Sequence, residues 1–92
     1  MKLSENTQYV TVAEYRSCIT LLRAHQNAFY GCCNNAERQG WRKRALNQLS
    51  KAKLIHCHWA NTSDVQRFES ACLQLQQRIN SVSPEGLLIN IA

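Results

Sequence analysis

Apolar residues recur at three- and four-residue spacing in two long stretches of this chain. Val12, Tyr15, Ile19, Leu22 and Phe29 form the first stripe, widened by Cys18 and Leu21 and interrupted at Gln26. That period is the period of an α-helix with one buried face. Thr11-Val12-Ala13-Glu14 offers a capping box, with the Thr11 hydroxyl taking an N–H three residues on and Glu14 reaching back. Gly31 is a natural stop, so the first helix is predicted over 12–30. Val65, Phe68, Cys72, Leu75 and Ile79 form the second stripe, opposite the polar Gln66, Glu69, Gln74, Gln77 and Asn80. A one-sided helix is predicted over 64–80, started by a second capping box from Ser63 and Gln66.

The segment between them has a narrower apolar face, made of Trp41, Ala45, Leu49 and Ala52. Asn34 and Asn35 are good N-caps, and Glu37 suits the positive end of the helix dipole. A helix is predicted over 35–54. Gly40 weakens its interior by about 1 kcal/mol relative to alanine and suggests a bend, or a separate turn ahead of Trp41. Two strands complete the reading. The β-branched and aromatic run around Tyr9 and Val10 predicts one over 8–11. Leu87 to Ile91, after the Ser83-Pro84-Glu85-Gly86 turn, predicts another over 87–91. Neither is stable alone, so the two terminal strands are expected to pair. The expected fold is mainly α (α+β), with three helices around one core and a small sheet, in a single domain over 1–92.

Charge changes the picture of the middle helix. The chain has eleven Lys and Arg against six Asp and Glu. Six of the basic residues, Arg38, Arg42, Lys43, Arg44, Lys51 and Lys53, lie in one segment with Glu37 as the nearby acid, and the remainder of the chain is neutral. Such a patch is an electrostatic footprint for a polyanion. Lys43, Asn47 and Lys51 fall four apart, with Arg44 beside them, while Arg38 and Arg42 lie nearer Trp41. Lys and Arg neutralise phosphates, and Asn bonds phosphate or a base edge. A solvated helix face is the plainer reading, but such faces usually mix signs. Contact with four to six phosphates would give a salt slope of roughly −3 to −5.

Five cysteines are many for 92 residues, but the count is odd and Cys32 and Cys33 are adjacent. That is unlike a disulfide framework, and the N-terminal residues lack a signal-peptide apolar core. Reduced thiols in a cytoplasm are the expectation. Cys32, Cys33, His56 and His58 have the donor types of a zinc site, yet adjacent cysteines diverge, so buried thiols and turn histidines are expected instead. Trp59 is expected in the core, as large aromatics of small chains usually are. An exposed contact surface using Trp59, Tyr30 and Trp41 is the alternative. Paired carboxylates, a phosphate-binding glycine loop and a nucleophile signature are absent from the sequence. No enzyme, cofactor, small-molecule substrate or membrane span is expected.

In size and charge layout the chain is similar to small phage-encoded inhibitors such as anti-CRISPR proteins. The likeness transfers no residue roles. It implies action by occupancy, with a charged surface set where a nucleoprotein complex would hold nucleic acid. The expectation is a non-catalytic basic module that docks on nucleic acid or a nucleoprotein complex through Arg38, Arg42, Lys43, Arg44, Asn47, Lys51 and Lys53. A regulator of an acidic protein surface, and a small zinc module, are the alternatives.

Overall fold

Each helix begins where a side-chain oxygen meets a free backbone N–H. The computed structural model describes residues 6–89. The Thr11 hydroxyl accepts from the Glu14 N–H at 3.1 Å, and the Glu14 carboxylate accepts from the Thr11 N–H at 3.2 Å. This capping box opens α1, Val12–Ala28, and a 3-10 turn, Phe29–Gly31, follows. The last predicted turn of the helix is therefore tightened, as helix ends often are. The Asn34 side chain accepts from the Glu37 N–H at 2.9 Å, and α2 spans Asn35–Ala52. One helix runs through Gly40, so of the two alternatives raised there the separate turn does not form. A Cβ at Gly40 would meet nothing within 4 Å.

The third helix starts earlier than the Ser63–Gln66 box predicts. Asn61 is the cap, accepting from the Asp64 N–H at 2.7 Å, and α3 spans Thr62–Asn80. Asn61, Thr62, Ser63 and Asp64 are all competent caps. The earlier start moves Asp64 from the first to the third helical position, where it is buried.

The stripes read from the sequence meet in one core. Tyr15, Ile19, Leu22 and Phe29 pack with Ala45, Leu49 and Ala52 and with Phe68, Ala71, Leu75 and Ile79. Alanines at 45 and 52 leave α2 a flat inner face, so its neighbours approach closely. The rings of Tyr15 and Phe68 stack at 4.5 Å. Burial raises the Tyr15 pKa to about 12. Gln48 Nε2 meets Cys18 Sγ at 3.8 Å, and Trp41 meets the His25 ring edge-on at 5.7 Å. The pairing of late α1 with early α2 shows that the two helices are antiparallel.

The small sheet forms, but with a different partner from the one expected. β1, Gln8–Tyr9, pairs in parallel with β2, Ile55–His56, with Gln8 opposite Ile55 and Tyr9 opposite His56. The Gln8 N–H donates to the Leu54 carbonyl at 2.7 Å, and the Val10 N–H to the His56 carbonyl at 3.0 Å. Because α1 and α2 are antiparallel, the chain entering α1 lies beside the chain leaving α2. The described part of the predicted 87–91 strand, residues 87–89, is at the other end of α3, whose 19 residues span about 28 Å. It cannot reach Tyr9. This part folds back on itself through an antiparallel Val82–Leu88 bridge, and residues 90–91 lie outside the described residues.

That fold-back is fastened to the start of α2. Arg38 Nε donates to the Gly86 carbonyl at 2.7 Å, and Arg42 Nε to the Val82 carbonyl at 3.0 Å. Gly86 has φ of +85°, and a Cβ there would lie 2.0 Å from the Asn35 carbonyl oxygen. Both the backbone twist and the close approach require glycine.

Candidate functional site

The six basic residues of the middle segment divide into two groups. Arg38 and Arg42 are half-buried and committed to the C-terminal turn. Lys43, Arg44, Asn47, Lys51 and Lys53 are exposed. At 100° per residue, positions 43, 44, 47 and 51 occupy an arc of about 100° on the side of α2 away from Ala45 and Leu49. Lys53 sits on the turn beyond the helix, beside a depression shared with His56, Glu69 and Cys72. The Arg44 guanidinium lies 4.9 Å from the centre of the half-buried Trp41 ring, a contact that leaves its charge uncancelled. Among the described residues, every ion pair within 4 Å involves Asp64. The exposed cations of α2 therefore have no acidic partner there.

Asp64 is a functional residue of the fold that sequence reasoning missed. Its carboxylate is fully buried. Arg16 donates from Nε to Oδ1 at 3.2 Å and from a terminal nitrogen to Oδ2 at 3.1 Å, and Arg67 donates to Oδ1. Hydrogen bonds from Arg16, against the opposing effect of burial, hold the Asp64 carboxyl below its ordinary value. The Asp64–Arg67 spacing of three was a visible cue. Arg16, 48 residues away in sequence, carried none.

The aromatics depart from expectation at one position. Trp59 is 84% exposed rather than in the core. The short crossing from β2 to α3 turns Cys57 and Ala60 inward instead, which leaves Trp59 outside. Tyr30 is also exposed, and it braces helix ends. Arg78 lies 4.2 Å from its ring centre and donates to its hydroxyl. Trp41 packs against the core and under Arg44.

The structure does not bring the zinc-type residues together. Cys32 and Cys33 follow α1, whereas His56 and His58 lie beside Tyr9, which precedes it. The 17 residues of α1 separate these ends by about 25 Å. Among the described residues, no group of three His, Cys, Asp or Glu side chains could hold a metal ion. All five cysteines are free thiols. Burial pushes Cys18 and Cys72 up, which keeps them protonated hydrophobes. None of the described helices is long and apolar enough to cross a membrane. No family model, curated protein or solved structure matches the chain.

Proposed function

We propose that this chain is a non-catalytic binding module that docks on nucleic acid, or on the nucleic-acid-holding face of a nucleoprotein complex, through the outer face of α2. It acts by occupancy, as a phage-type inhibitor would. One observation carries the reading: Lys43, Arg44 and Lys51 share an exposed arc with Asn47, with no acid within ion-pair distance among the described residues. Charge left unpaired in this way costs the folded state self-repulsion, and a polyanion offsets it. Arg38 and Arg42 belong to the fold in this reading, which leaves about four phosphate contacts once Lys53 is counted. The five free thiols fit a reducing, cytoplasmic compartment.

The test is the triple variant K43E/R44E/K51E. Its three positions are exposed, so far-ultraviolet circular dichroism and the unfolding midpoint should match the parent. Binding to a mixed-sequence oligonucleotide should be lost. Binding equal to the parent by a folded variant would falsify the proposal.

A further inference from the structure

An aromatic shelf occupies the end of the molecule where α2 gives way to β2. Tyr9 meets the rings of His56 at 5.6 Å and His58 at 6.4 Å. His56 and His58 are 5.6 Å apart, and Trp59 continues the chain of rings 6.4 Å beyond His58. His56, Cys57 and His58 alternate as an extended segment does, so the two imidazoles share a side while Cys57 enters the core. Tyr9 is 65% exposed and Trp59 84%. Core packing does not explain two large rings held in water. The imidazoles lie edge-on between them and link the two rings into one surface.

Tyr9, His58 and Trp59 wall a groove of about 600 Å³ whose other lining residues are Val10, Thr11 and Glu14. The Glu14 carboxylate gives this groove a negative edge and makes it a poor seat for phosphate. Flat apolar walls with one acceptor-bearing edge suit a heterocyclic base. The cations lie outside it: α2 ends just after Lys51, Lys53 follows on the turn, and Lys53 lines the same depression as His56. Lys53 thus shares a depression, which Glu69 also lines, with a ring that adjoins Tyr9 and His58. Single strands are held with the backbone on a positive track and bases on aromatic platforms. A duplex keeps its bases stacked inside and has nothing to lay on the shelf.

We infer that the ligand is single-stranded nucleic acid, with its phosphates on Lys51 and Lys53 and an unpaired base on Tyr9, His58 and Trp59. The inference rests on α2 being the phosphate-contacting face. The test compares a labelled oligothymidylate with a blunt duplex of equal phosphate count at one salt concentration. The single strand should bind at least about 5-fold more tightly, the yield of one stacked base. It should also quench tryptophan emission, and Trp59→Ala and Tyr9→Ala should each reduce the preference without moving the unfolding midpoint or the salt slope. Equal affinity for the two oligonucleotides, or a preference that survives Trp59→Ala, overturns the shelf. If K43E/R44E/K51E still abolishes binding in that case, the α2 face stands without it. Binding of neither oligonucleotide overturns both readings. Competition by polyglutamate as strong as that by oligothymidylate also overturns the shelf, in favour of an acidic protein surface.

Discussion

Arg16 and Arg67 close on the buried carboxylate of Asp64 between α1 and α3, while Lys43, Arg44 and Lys51 stand on the outer face of α2 with no acid within ion-pair distance among the described residues. The first region spends its positive charge on holding two helices together, and the second keeps it for solvent or a ligand. Arg38 and Arg42 show that neighbours in sequence can fall on either side of this divide. Both sit within the basic run, yet both donate to carbonyls of the C-terminal turn. A count of basic residues therefore overstates the number of side chains free to reach a ligand. Here the overstatement is two residues of six.

The sharpest way to break the comparison is at the carboxylate. Asp64→Asn should lower the unfolding midpoint more than any single change on the outer face of α2, because it removes the charge around which both arginines are arranged. The loss should depend on pH. Asp64 titrates below its ordinary value in the folded protein, so its contribution is present above about pH 4 and disappears as pH falls through the lowered value. Thermal melts of parent and variant should be well separated at pH 7 and converge in acid. A constant separation down to low pH would show that the carboxylate acts by shape alone.

Gly86→Ala attacks the turn that Arg38 and Arg42 fasten. The positive φ and the 2.0 Å approach to Asn35 should together cost at least about 2 kcal/mol, read by chemical denaturation. Arg42→Gln should cost about 1 kcal/mol, a charged hydrogen bond discounted for partial exposure, and should leave the salt slope of binding unchanged. Lys51→Gln should do the reverse, with stability within about 0.5 kcal/mol of the parent and a slope smaller by roughly 1. Matching effects from Arg42 and Lys51 would erase the distinction between fastened and free cations.

Periodicity made the helices legible in the sequence because each buries one stripe. The Thr11–Glu14 cap was legible because its chemistry lies within four residues. Only the Tyr9 strand of the sheet was legible; its partner, Ile55–His56, was not, since that partner depends on which helix ends lie side by side. Trp59 was misplaced for a related reason. Hydrophobicity argues for burial, but the crossing from β2 to α3 turns Cys57 and Ala60 inward and leaves the indole outside. The basic patch was visible as charge density, whereas its division depended on contacts 40 and 48 residues away, Arg42 to Val82 and Arg38 to Gly86. The aromatic shelf left only a faint trace, the alternation of His56 and His58.

The salt dependence of oligonucleotide binding tests the outer face of α2 most directly. Plotted as log affinity against log salt, the parent protein should fall with a slope of about −3 on a single strand, as four phosphate contacts require. The variant K43E/R44E/K51E, equally folded, should bind too weakly to measure or show a slope no steeper than about −1. A parent slope near zero, or an equal slope in the folded variant, would contradict the assignment of α2 as the polyanion-binding surface.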